Sequence, residues 1–269
     1  MLAASHQSII SRPQSTIGIG KTDLLTQRFS CIAMTLLSNP WQERFYFECK
    51  IKREEGERPL VLIQPLGGAV EIGDLNALHQ VAGSFNFDSL ESQKHNDLRV
   101  YLSPDSVSPV SAYCRKKYTE LATQDIVREL VEELQEMGGI FVQQKAFAVQ
   151  STTTRFHCDQ SVGGYRAPKH GEASSRVFFL HHGIIVDPQV SESLNKISFS
   201  ASGHDVRSFL TAVSNHPVLG DRLRHQKKAN FFVTLSPEDL AHIIIHGAKG
   251  MRYRGFQLSE PLRWMLDKE

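Results

Sequence analysis

From Glu120 to Met137 the chain carries the pattern that most restricts its fold. Ile126, Val127, Leu130, Val131, Leu134 and Met137 recur at spacings of three and four, which lays one apolar stripe along a helix. Gly138-Gly139 marks its end. Such a stripe needs a second apolar surface to cover it, and the flanking sequence offers strands. Residues 45–51, 59–63, 98–102, 140–149, 176–186 and 231–233 are short runs dominated by apolar, mostly β-branched and aromatic, residues. Residues 205–214 read as a helix, and Ser236-Pro237-Glu238-Asp239 opens a well-capped last one. Strands and helices interleave without an internal repeat, so the expected class is α/β.

Composition narrows the function. The apolar fraction is 41%, the charged fraction 22% and the formal charge +1. These values describe an ordinary globular chain without the basic excess of a protein that wraps a polyanion, so no stable nucleic-acid binding is expected. The four cysteines form no C-x-x-C pair, which argues against a disulfide framework or a structural zinc. No apolar run reaches membrane-spanning length. Residues 1–20 are polar and Ser-rich, which predicts a loose arm before a single domain over 21–269. Together these features predict a cytoplasmic protein without a membrane partner; a homodimer stays open. Ile19-Gly20-Lys21-Thr22 lacks the earlier glycine of a phosphate-binding loop, because Ser15 stands there.

The chemistry concentrates on the helix. Glu129, Glu132, Glu133 and Glu136 fall at i, i+3, i+4 and i+7, and like charges at such spacings repel by a few tenths of a kcal/mol, roughly, per pair. A solvated acidic face is one reading. A cleft holding a hard divalent cation, which prefers carboxylate oxygen, is the other.

An upstream segment bears on that choice. Gly67-Gly68-Ala69-Val70-Glu71-Ile72-Gly73-Asp74, with Arg128-Glu129-Leu130-Val131-Glu132-Glu133, resembles the two halves of the signature box of the Nudix hydrolase superfamily. Phe232 to Leu240 resembles the late strand-to-helix segment common in that family. The resemblance implies an α/β/α sandwich with a mixed sheet. It also implies a metal-dependent hydrolase that cleaves a diphosphate bond in a nucleotide or nucleoside-diphosphate-linked substrate, with Mg2+ or Mn2+ as cofactor. By the same resemblance Glu132 and Glu133 are metal ligands. Glu129 is a further ligand or orients the attacking water, Gly68 offers its carbonyl, and Arg128 and Gly67 are structural.

The pattern departs from the family in two places. Residues 75–127 separate Asp74 from Arg128, where the box has seven, and Gln135 replaces the box glycine. Asp74 and Glu120 are both candidates for the first box acid; Glu120, eight residues before Arg128, is the better structural match and a candidate catalytic residue. Residues 75–119 read as an insertion that leaves the fold and shapes the substrate pocket, with Arg99, Tyr101, Tyr113, Arg115 and Lys116 as stacking and phosphate-pairing groups. Residues 151–175 read as a long loop on the same pocket. The split box leaves an alternative: a weak or inactive module that binds a nucleotide signal as a sensor or effector. His181-His182 alternate across a strand and cannot readily share a metal. His157-Cys158-Asp159 and Cys31 lack partners at ligand spacing.

Overall fold

Thirteen residues of strand, β1 (Gln27–Asn39), organise the molecule because every stretch of it finds a partner. The computed structural model describes residues 27–52, 59–159, 174–225, 228–246 and 252–266. The arm expected at 1–20 therefore lies outside the described residues.

Along one edge, β1 pairs antiparallel with three strands in turn. Its start meets β6 (Arg99–Leu102), its middle β4 (Leu66–Ala69) and its end β2 (Arg44–Lys52). Along the other edge it runs parallel to β8 (Ser174–Ile185), which forms a long antiparallel pair with β7 (Phe147–Asp159). β2 pairs in addition with β3 (Leu60–Gln64) and β10 (Lys228–Leu235). The short strands β5 (Asn86–Phe87), β9 (Phe199–Ser200), β11 (Arg252–Tyr253) and β12 (Phe256–Leu258) complete a curled mixed sheet, twelve strands among the described residues.

Alternation along β1 sends its side chains to two cores. Phe29, Cys31 and Ala33 face one side with Val100, Leu102, Val177 and Phe179; Leu36 faces the other with Phe47, Ile51, Phe209 and Phe256. The first side is covered by α1 (Leu75–Ala82) and α3 (Val107–Gly138). The second takes α5 (Val206–Asn215), α6 (Pro217–His225), α7 (Pro237–His246) and α8 (Glu260–Leu266). The remaining helices are α2 (Leu90–His95) and α4 (Pro188–Ile197). Helices thus cover both faces of a mixed sheet, and the protein is α/β. Among the described residues no helix is long and apolar enough to cross a membrane.

Four expectations need correction. Residues 140–149 are strand only from Phe147, since 140–143 are irregular and Gln144–Ala146 form a short 3-10 helix. The stripe of 120–137 belongs to a helix that begins at Val107, thirteen positions earlier, and ends on Gly139 in the left-handed region, whose N–H reaches Gln135 and Leu134. Residues 151–159 are not loop: they continue β7 against β8, and only 160–173 of that segment lie outside the described residues. A Ser/Thr-rich run can be strand, because hydroxyls on β-branched threonines tolerate a half-exposed sheet surface.

Residues 75–119 do not leave the fold. They supply β5, β6 and the first part of α3, and Leu78, Leu98, Val100, Leu102, Val110 and Cys114 are buried in the core shared with Phe29 and Phe179. Each such side chain contributes about 1.5–3 kcal/mol by burial. Replacing 76–118 with a short Gly/Ser linker is therefore expected to unfold the protein rather than alter its substrate preference. Circular dichroism and thermal melting check this: a cooperative melt at the wild-type temperature contradicts it.

Candidate functional site

Two glycines let the acidic helix approach the sheet. Gly67 on β4 has φ +136°, and a Cβ there would fall 2.1 Å from the Ala33 carbonyl oxygen. At Gly68 a Cβ would fall 1.9 Å from Glu129 Oε2. The Gly67 N–H donates to Glu133 Oε1 at 3.2 Å. Strand and helix segments about sixty residues apart in sequence therefore meet as backbone against carboxylate.

The four glutamates do not share one environment. Ile126, Leu130 and Leu134 face the sheet and are buried. Glu129 and Glu133 flank that stripe and turn inward over β4, whereas Glu136 is exposed and the Glu132 side chain is 50% exposed. Helical rotation explains the split: Glu132 and Glu133 are about 100° apart around the axis, so they cannot both point at one strand.

Arg128 binds one outer and one inner carboxylate. Its Nη1 donates to both Glu132 oxygens at 2.8 Å, and its Nη2 to Glu129 Oε1 at 2.9 Å. Glu71, four residues beyond Gly67, lies 3.9 Å from Arg128 Nε. Burial pushes Glu129 up to about 7; Arg128 draws it back, while Glu132 and Asp97 raise it. Burial also pushes Glu133 well up, and the Glu48 carboxylate adds to the effect against the pull of the Gly67 N–H. Glu133 as a residue is half-buried, yet its Oε2 is sealed from solvent and has no hydrogen-bond partner among the described residues.

The other expected positions are scattered. Asp74 caps α1, accepting from Ala77 N–H at 3.0 Å, with Lys117 3.9 Å away. It is a cap at the start of another helix. Glu120 lies on α3, but its side chain is outside the described residues. Arg99 stands 3.6 Å from Asp97, and both act on the charge of Glu129. Tyr101 is half-buried one pair further along β6. Arg115 and Lys116 are exposed, and at 1.5 Å rise per residue they lie about 20 Å along the helix from Glu129. His181 and His182 do occupy opposite faces: His181 is buried, with Nδ1 2.9 Å from Thr152 Oγ1, and burial pulls it down to about 4.

Sequence reasoning missed Glu48, Glu71 and Asp97. Glu48 could have been noticed, since a carboxylate inside the run Phe45-Tyr46-Phe47-Glu48-Cys49 is a buried-charge signal. Asp97 carried no such mark, because its position follows from the isolated bridge between Glu71 and Asp97.

As the side chains stand, no three His, Cys, Asp or Glu groups among the described residues converge as a metal cage. Glu129 and Glu132 are turned onto Arg128. The donor chemistry still suits a hard cation: carboxylate oxygens under a glycine strand, one of them buried without a partner. Glu129, Glu133 and the Gly68 carbonyl are the groups that would hold it. No protein-family model matches this chain, and no curated protein matches it.

The pH response follows from Glu129, whose side chain is only 14% exposed. Its folded value of about 7 lies above its ordinary value of 4.5, so the folded state holds the proton more tightly. The associated stability is present below pH 4.5 and is lost as pH rises through 7, to the extent of about 3 kcal/mol. In chelator, the wild-type melting temperature should fall across that window more than that of Glu129→Gln. Parallel pH curves for the two proteins contradict the assignment.

Proposed function

We propose that this chain is a metal-dependent hydrolase of the Nudix type, built on an α/β/α sandwich, that cleaves a diphosphate bond in a nucleotide or nucleoside-diphosphate-linked substrate. The observation that carries the reading is the contact of Gly67 and Gly68 with Glu133 and Glu129. The two halves of the resemblance, distant in sequence, form one place in the fold.

Bound Mg2+ or Mn2+ would supply the charge that shields the diphosphate and acidifies a water. The chain's own part is more specific. Glu129, up at about 7, is poised to accept a proton near neutral pH. Arg128 holds Glu129 Oε1 and so fixes the direction in which Oε2 faces the glycine strand. Gly67 N–H fixes Glu133.

A sensor that binds a nucleotide without turnover is the second reading. It is favoured by the pairing of Arg128 with both Glu129 and Glu132, which neutralises part of the acidic set without a metal. Incubation with nucleoside triphosphates, dinucleotides and nucleotide sugars, with Mg2+ or chelator, separates the two when products are read by mass. Metal-dependent cleavage of one class is the expected result. Binding of a nucleotide without any product assigns the sensor role instead.

A further inference from the structure

His181 is fully buried on β8, on the sheet face that carries α3 with Val177 and Phe179. Its Nδ1 lies 2.9 Å from Oγ1 of Thr152, its register partner on β7. Its Nε2 is sealed from solvent and has no hydrogen-bond partner among the described residues. A neutral ring tolerates this, since only one of its nitrogens carries a proton. A protonated ring has two N–H donors, and Thr152 stands at only one of them. The other would be buried without an acceptor, in addition to the cost of the charge itself.

No element packed against the ring offsets that charge among the described residues. β1 brings Thr35, whose hydroxyl donates to the His181 carbonyl oxygen at 3.2 Å. α3 brings the apolar Val127, Leu130 and Val131 to this part of the sheet. Arg128 is committed to Glu129 and Glu132, and Glu129 and Glu133 turn over β4, beyond β1. His182 projects to the opposite face and acts as a like charge. Burial holds the His181 ring down at about 4, against an ordinary 6.5.

β7 is the element that can yield. Among the described residues it pairs with β8 alone, Thr152 is exposed, and the ladder is already irregular between Val149 and Ser151. We propose that His181 and Thr152 form an acid-sensitive latch, in which protonation of the buried ring releases β7 from β8 while the rest of the sheet stays paired. Because the ring titrates lower when closed, the stability of the latch is complete above pH 6.5 and is lost as pH falls through 4. Phe147 and Val149 of β7 pack in the same cores as Leu130 and Val127, so release uncovers one flank of the helix that carries Glu129 and Glu133.

Hydrogen exchange of the full chain, read by mass spectrometry of its peptides and corrected for intrinsic rate, tests this. Between pH 7 and pH 4 the opening of β7 should rise about 100-fold, and that of β2 far less. His181→Gln, which cannot take up the proton, should suppress the rise; His182→Gln, on the opposite face, should keep it. Equal acceleration in β7 and β2, an unchanged rise in His181→Gln, or its loss in His182→Gln overturns the proposal. Should His181→Gln fail to fold, the ring resonances of wild type decide. Titration of His181 at about 4, in step with loss of β7 protection, supports the latch, and titration near 6.5 overturns it.

Discussion

Glu133→Gln is expected to lose hydrolysis by about 100-fold or more while melting higher than wild type. The loss should be at least as large as the roughly 10–100-fold that removal of even an outer partner costs a metal site. The gain has a separate cause. Glu133 carries a buried oxygen without a partner, and both burial and Glu48 oppose its charge. A neutral amide removes the charge and can still accept from Gly67 N–H. Relief of about 1 kcal/mol corresponds to a rise of roughly 2–4 °C for a chain of this size. Steady-state rates and calorimetry on one preparation check both halves. A variant that loses activity and stability together points to a structural role for Glu133.

Gly67→Ala is expected to be the most damaging single methyl addition among the described glycines. The added Cβ would fall 2.1 Å from the Ala33 carbonyl and 2.9 Å from Ile126 Cδ1, at a φ that L-residues rarely adopt. Strain of about 1–3 kcal/mol for the backbone and a similar amount for overpacking add up to much of a typical domain's 5–15 kcal/mol. The neighbour that would have to move is β1, the strand on which the sheet is assembled. Denaturant unfolding should show a much lower midpoint. Gly73→Ala, at a glycine whose Cβ would meet nothing within 4 Å, is the control and should melt near wild type. Equal midpoints for Gly67→Ala and wild type contradict the close packing described.

Much of this protein was legible in one dimension because the relevant interactions are local. The stripe through Ile126, Leu130 and Leu134 is set by helical periodicity, and its stop by the left-handed Gly139. The strands around Phe47 and Ile63, the helix capped by Asp205 and the helix after Ser236 follow from patterns that span a few residues. The α/β class followed from their interleaving.

What tertiary structure alone decided is where distant segments meet. Residues 75–119 have too mixed a polarity to read as core, yet Val100 and Leu102 are buried because β6 pairs with the start of β1, some seventy residues away. Residues 151–159 resemble loop until β8 offers them a partner. The four glutamates on α3 are equivalent in sequence and unequal in space, since only Glu129 and Glu133 turn toward a strand whose glycines admit them. Periodicity determines which face of an element is apolar; strand pairing determines what that face, and the charges beside it, are brought against.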